Sequence, residues 1–267
     1  MQIKTVAELA AEGKSPEVLF WVGCAGSFDD KAKKVSKALA SLLTQAGIEW
    51  AILGQEESCS GDPARRAGNE FLFQMMALQN IQVLNGYNIR TIVTACPHCF
   101  NTLKNEYPAL GGHYEVFHHS QFLQKLLDEG RIRIREEVFK GKKVTFHDPC
   151  YLGRANGEYL APRAVIRKVF QNIEEMERHG QRALCCGAGG AQMFKEAEKG
   201  LKEVNIERTE EALRVHPDIL AVGCPFCKTM LSDGVKHFEK EEHIRVADLA
   251  EILAEAAAPI PESESKN

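Results

Sequence analysis

An α/β fold is predicted, made of two duplicated Rossmann-like units with mainly parallel sheets and with metal sites at the C-terminal ends of strands. Three observations predict it. Short apolar runs alternate with helical patterns along the chain, the order that gives parallel sheets because each crossover needs a helix. The cysteines occur twice in nearly the same register. Most of them stand at the end of an apolar run or just beyond it, where ligands collect in open α/β sheets.

The elements follow in order. "EVLFWVGC", "EWAIL", "RTIVTAC", "KVTFHDPC" and "DILAVGC" are apolar, β-branched-rich runs that read as buried strands. After the first of them, Val35, Ala38, Leu39, Leu42, Leu43 and Ala46 recur at helical spacing, and Gly47 sits where a helix stop belongs. In "GDPARRAG", Asp62 and Pro63 open a helix, leaving Arg65 and Arg66 either solvated or facing an anionic partner. "FLFQMMAL", with Met75 and Met76, reads as a core-packing segment. "KEAEKGLKEVNIERTEEA" reads as a solvated helical face, and "IRVADLAEILAEAAA" has helical periodicity. The closing "PIPESESKN" is polar and Pro/Ser-rich. The expected organisation is a first unit over residues 1–141, a second over 142–258 and a flexible tail over 259–267.

Composition narrows the function. The 267 residues are 44% hydrophobic and carry a net charge of −4. A sizeable core is therefore expected, while nucleic acid and anionic membrane surfaces are not expected partners. The N-terminal stretch has no apolar leader and nowhere do roughly 18 apolar residues run together. The expectation is a cytoplasmic protein without a direct membrane span, peripheral to a membrane only through a partner. Nine cysteines in such a chain point to metal or redox chemistry, because a reducing cytosol disfavours a disulfide framework.

The spacing of those cysteines is the strongest signal. Cys24, Cys59 and the pair Cys96 and Cys99 of "CPHC" answer Cys150, Cys186 and the pair Cys224 and Cys227 of "CPFC" at offsets of 126, 127 and 128 residues. Flanking residues repeat as well: "FWVGC" answers "FHDPC", and "IVTACPHC" answers "LAVGCPFC". Convergent thiolates repel one another unless they stay protonated, pair as disulfides or surround a metal. Four cysteines suit either an iron-sulfur cluster or structural zinc. The second half adds Cys185 beside Cys186. Neighbouring residues on an extended chain point to opposite sides, so the backbone must turn sharply there, and Gly187, Gly189 and Gly190 allow it. Five thiolates exceed what tetrahedral zinc accepts and favour a multi-iron centre in the second half.

A lone Cys, a Cys-Cys-Gly some 35 residues on and a CxxC after a further stretch of similar length, present twice, resembles the cysteine-rich CCG-domain proteins. That family includes the heterodisulfide reductase B subunit and the iron-sulfur subunits of anaerobic glycerol-3-phosphate dehydrogenase, glycolate oxidase and lactate-utilisation systems. The resemblance covers roughly Val18 to Met230. It implies a non-cubane 4Fe-4S cluster on Cys150, Cys185, Cys186, Cys224 and Cys227. It also implies electron transfer between an iron-sulfur or flavin partner and a quinone, disulfide or similar acceptor. The partner would be a ferredoxin-like iron-sulfur subunit or a flavoprotein. The first half departs from the pattern: "SCSG" stands where the second has "CCG", leaving Ser58 opposite Cys185. Cys24, Cys59, Cys96 and Cys99 are then expected to hold a 4Fe-4S cluster or zinc. Electron relay ranks above independent disulfide reduction, which would need two equivalent five-thiolate centres. Thiol-disulfide exchange at the CxxC pairs and a zinc-stabilised binding module are the alternatives. No Rossmann GxGxxG and no Walker motif is present.

Several residues carry two readings. His147, three before Cys150, reads as a cluster-tuning neighbour, with Gly187, or as a strand-end histidine paired to backbone. His98 inside "CPHC" reads as a thiolate-tuning group or, since Phe226 fills the same slot in the other half, as a tolerant position. His118 and His119 read as a strand end rather than a metal pair.

Overall fold

The computed structural model describes residues 3–196 and 199–258. The expected 259–267 tail lies outside the described residues. Two all-parallel sheets form the frame. The first contains β1 (Val18–Trp21), β2 (Trp50–Ala51), β3 (Thr91–Thr94) and β4 (Glu115–His118) in the order β2-β1-β3-β4. The second contains β5 (Val144–Phe146), β6 (Ile219–Val222) and β7 (Arg245–Asp248) in the order β5-β6-β7. The registers correspond: Leu19 pairs with Ile92 as Thr145 pairs with Leu220, and Ile92 pairs with Val116 as Leu220 pairs with Val246. A single parallel bridge between Val144 and Ile173 stands where β2 would be. The α/β architecture with duplicated units agrees with the sequence reading.

β1 and β6 are buried on both faces, which is why their sequences are apolar without alternation. The Asp30–Gln45 helix starts on the Asp29 side chain, which accepts from the Ala32 backbone, and ends before Gly47 at φ 66. It buries Val35, Leu39, Leu42 and Leu43. Those residues belong to a core that also contains Phe122 and Leu126 of the first half and Val165, Ile166, Leu249 and Leu253 of the second. The two halves therefore share one hydrophobic interior. A polar link crosses the same boundary. His118 Nε2 donates to the Gly223 carbonyl at 3.0 Å and His119 Nε2 to Asp248 Oδ1 at 2.9 Å, with His118, His119 and Asp248 all fully buried.

Three expectations need correction. "IRVAD" is not helical: Arg245–Asp248 is β7, and the helix spans Leu249–Ala256. Asp248 causes the switch, because its side chain caps Ala250 N while Glu251 caps Asp248 N. "FLFQMMAL" is not wholly core. Its helix, Glu70–Gly86, buries Phe73 and Ala77 but exposes Phe71, Leu72, Met75 and Leu78. "KEAEKGLKEVNIERTEEA" is only in part a solvated face: residues 199–203 are exposed but stand before the helix, and Ala197 and Glu198 lie outside the described residues. The helix is only Val204–Leu213, and Asn205, Arg208, Thr209 and Glu211 are buried.

Candidate metal centres

Each CxxC motif sits where a strand hands over to a helix. Cys96 and Cys224 are N-cap residues, followed by Pro97 and Pro225 in the first helical turn, with Cys99 and Cys227 one turn on. Proline fits the first turn because its missing N–H would have no partner there. The turn points both sulfurs to the same side, and the helix N-terminus favours a thiolate. All four of these cysteines are buried. Cys24 follows β1 on the short Gly23–Phe28 helix, and Cys150 follows β5 in a turn; both are partly exposed, as are Cys59 and Cys185.

The structure brings the sulfurs into two sets. In the first, Cys24 hydrogen-bonds with Cys59, Cys96 with Cys99, and Cys99 interacts electrostatically with Cys24 and Cys59. In the second, Cys185 hydrogen-bonds with both Cys150 and Cys186, Cys186 with Cys227, and Cys227 with Cys224. Hydrogen bonds from Cys150 and Cys186 hold the Cys185 thiol far below its usual range, and the same contacts push those two neighbours up. Without a cation only part of such a set can ionise. Cys224 is pulled down to about 5: burial opposes this, but hydrogen bonds from Cys227 and His98 outweigh it. The two sets also adjoin, since Cys224 acts electrostatically on Cys96.

Loop geometry serves the sulfurs. Gly187, at φ 91, lets the chain reverse after the adjacent pair, and its N–H donates to Cys185 Sγ at 3.3 Å. Gly61 N likewise donates to Cys59 Sγ at 3.5 Å. Ser58, opposite Cys185 in the duplication, is bound to Asn80. Its hydroxyl donates to Asn80 Oδ1 at 2.9 Å, and Asn80 Nδ2 donates to the Cys59 carbonyl and to Tyr107 Oη, each at 3.0 Å. The first set is thus four thiols in space as well as in sequence.

His98 is no tolerant position. It is buried, its Nδ1 donates to Asp62 Oδ2 at 2.9 Å, and its ring lies 5.0 Å from that of Phe226 and 4.2 Å from that of Tyr151. Burial alone would lower its pKa, yet Asp62 and Cys224 raise it to about 10. The slots equivalent under the duplication therefore meet at the boundary, each ring lying beside the other half's thiols. Arg65 and Arg66 are half-buried and paired: both reach Glu106, Arg65 Nη1 at 2.9 Å, and Arg66 Nε also holds Asp62 at 3.1 Å. His118 does end a strand, and burial keeps it well below its normal range.

His147 is fully buried and pairs with a side chain, not with backbone: Arg208 Nε donates to its Nδ1 at 3.0 Å. Burial, with the nearby Arg208 charge, pushes it down to about 3. One ring nitrogen lies within 4.8 Å of the Cys186 and Cys227 sulfurs, while Nε2 has no hydrogen-bond partner among the described residues. An orphaned polar atom at a thiol-lined centre fits an occupant that accepts hydrogen bonds, as cluster sulfur does.

The sequence showed Asp62 only as a helix opener, not as the partner of His98, and gave no role to Glu57, Asn80, Asp148 or Arg208. Glu57 is the clearest loss. Its carboxylate accepts from Val22 N at 3.1 Å and Gly23 N at 2.6 Å, anchoring the helix start that carries Cys24, and burial raises its pKa to about 7. Asp148 accepts both Arg163 terminal nitrogens at 2.6 and 2.9 Å and Gly180 N at 2.8 Å, bracing the Cys150 turn. Position beside the repeated cysteines was the available signal: Asp148 lies two before Cys150 and Glu57 two before Cys59.

Fold and thiol geometry together define a duplicated, cysteine-rich α/β protein with one thiol-lined centre per half. The chain belongs to the CCG cysteine-rich domain family, whose model matches residues 18–104 and 144–232. It is 44% identical over 254 residues to an EtfAB:quinone oxidoreductase of Syntrophomonas wolfei, covering 93% of this chain and 35% of that one. It is 44% identical over 256 residues to a Bacillus subtilis protein named as a probable iron-sulfur-binding oxidoreductase, covering 96% and 36%. A dihydromethanophenazine:CoB–CoM heterodisulfide reductase subunit from Methanosarcina barkeri is 32% identical over 251 residues, covering 90% and 59%. The chain thus spans about a third to three fifths of the length of these relatives. A glutamate racemase structure from Bacillus anthracis superposes over 89% of this chain and 77% of its own at 16% identity and a TM-score of 0.37, too loosely to bear on function. No helix among the described residues is long and apolar enough to cross a membrane.

Proposed function

We propose that the chain is an electron-transfer module of an oxidoreductase complex that binds two iron-sulfur centres. Cys150, Cys185, Cys186, Cys224 and Cys227 hold a non-cubane 4Fe-4S cluster, and Cys24, Cys59, Cys96 and Cys99 hold a four-cysteine 4Fe-4S cluster. The reading rests on one observation above all: nine thiols from distant segments converge as two adjoining sets of four and five, with zinc unable to use the fifth. When bound, the clusters supply one-electron carriers. The chain supplies the rest. The two CxxC turns bury the inner sulfurs, Cys24, Cys59, Cys150 and Cys185 form the partly exposed mouths, and His98 and Phe226 pack in the space where the two sets approach.

The relatives' names include oxidoreductases acting with quinone and with a heterodisulfide. In this reading electrons enter from a ferredoxin-like iron-sulfur subunit or a flavoprotein and leave to a quinone, a disulfide or a similar acceptor, with any membrane contact made through the partner. The four-thiol first half argues against two equivalent disulfide-cleaving centres. Anaerobic purification tests the proposal: brown protein is expected, with iron and acid-labile sulfide near eight each per chain if both centres are 4Fe-4S. Colourless protein carrying only zinc, or metal-free protein with titratable dithiols, overturns it.

A further inference from the structure

The duplication aligns "FWVGC" with "FHDPC", so Trp21 and His147 occupy the same place, three residues before the first cysteine of each half. Both side chains are fully buried. Both leave one ring nitrogen, Trp21 Nε1 and His147 Nε2, without a hydrogen-bond partner among the described residues. Both rings are near thiols, Trp21 in the core cluster that holds Cys96 and Cys99. A methyl group placed on Gly23 would stand 3.4 Å from Cys99 Sγ and 3.9 Å from Trp21 Nε1, so those two atoms flank the same point. His147 brings a ring nitrogen within 4.8 Å of the Cys186 and Cys227 sulfurs.

An indole nitrogen only donates. An imidazole has a choice, and here the neighbours remove it. Arg208 is fully buried and held by Glu211 Oε2 at 2.9 Å and the Arg178 carbonyl at 2.8 Å. Its guanidinium has donors and no acceptor, so the His147 Nδ1 it meets at 3.0 Å must offer a lone pair. The single ring proton then sits on Nε2. A protonated Nε2 has no lone pair for a metal, so the His147, Cys186 and Cys227 grouping does not ligate through histidine.

We propose that Trp21 and His147 are equivalent N–H donors to sulfur, one for each centre, and that Arg208 is a positioning residue that makes His147 behave like an indole by fixing its tautomer. The donor role toward cluster sulfur rests on the iron-sulfur reading above; the tautomer does not. Donors aimed at cluster sulfur favour the reduced, more negative state and raise its potential.

The test uses whole protein. In 15N-histidine NMR, His147 should show an unprotonated Nδ1 and a protonated Nε2, whether or not iron is present. Arg208→Lys, which keeps a buried donor but loses the planar fork, should loosen that preference. In redox titrations followed by electron paramagnetic resonance, Trp21→Phe should lower only the first centre's midpoint potential and His147→Phe only the second's. The expected size is about a tenfold change in the reduced-to-oxidised ratio, or about 59 mV for a one-electron couple. His147→Gln, which retains an N–H donor, should keep most of the second centre's potential and guards against loss of folding in the phenylalanine variant. A proton on Nδ1, a directly coordinated histidine nitrogen in the pulsed spectra, or unchanged potentials in both phenylalanine variants would each overturn the proposal. Iron-free protein would instead remove the cluster reading, while the nitrogen shifts would still decide the tautomer.

Discussion

The two halves share strand order, register and cysteine spacing, yet surround their thiols differently. In the first, Ser58 is bound to Asn80, the aromatic Trp21 lies beside the sulfurs, and Glu57 braces the Cys24 turn. In the second, Cys185 fills the Ser58 place, His147 replaces Trp21, and Asp148 with Arg163 braces the Cys150 turn. The difference teaches that the fold specifies where a centre stands, while a few residues at the strand ends specify how many thiols and what charge surround it. A carboxylate supports each first-cysteine turn, but it comes from another loop in one half and from the turn itself in the other.

The sharpest way to break this comparison is to remove a thiol from one half alone. Cys186→Ser should abolish the second centre's spectroscopic signal and leave the first, and Cys59→Ser should do the reverse. Electron paramagnetic resonance with iron analysis reads both. A single variant that silences both centres would mean that the halves do not hold independent sites.

Next in size is the brace. Arg163 and Asp148 form a buried, bidentate pair, and Arg163 Nε also reaches Glu175 at 2.7 Å. Removing one partner strands the other charge in the interior, at a cost of about 3–5 kcal/mol. Arg163→Met should lower the denaturant midpoint accordingly. If the second cluster is bound, it should also be lost before the first during partial unfolding.

Much of this was legible in sequence, for identifiable reasons. Strands buried on both faces leave continuous apolar runs, and an internal repeat prints its ligand spacing twice; hence the parallel sheets and both thiol sets were visible. The failures share a cause as well. "IRVAD" has an apolar pattern compatible with helix or strand, and only the capping by Asp248 decides it. Arg208 and Glu211 look like a solvated face because charges usually are, yet here they neutralise each other under Arg178 and His147. Pairings across 61 residues, as between Arg208 and His147, leave no local periodicity to read.

A smaller effect is expected from making the halves alike. Ser58→Cys restores the adjacent pair in the first half but breaks the hydroxyl's bond to Asn80, worth about 1 kcal/mol. The expected outcome is a slightly less stable protein whose first centre shifts its spectrum toward that of the second. A spectrum unchanged from the parent would show that a sulfur at position 58 does not join the first centre.

The smallest effect belongs to the helices that precede β3 and β6, the strands leading into the two CxxC turns. Glu70–Gly86 presents Phe71, Leu72, Met75 and Leu78 to solvent, whereas Val204–Leu213 presents mostly charge and buries Arg208 against the second centre's histidine. Because Phe71 and Met75 are exposed, replacing both with serine removes little burial, and stability should change by no more than about 0.5 kcal/mol per site. Reversible denaturation of the double variant checks this. A larger loss would mean that the apolar face is packed in the folded protein, and the contrast between an apolar helix in one half and a charged one in the other would have to be drawn from packing rather than from surface chemistry.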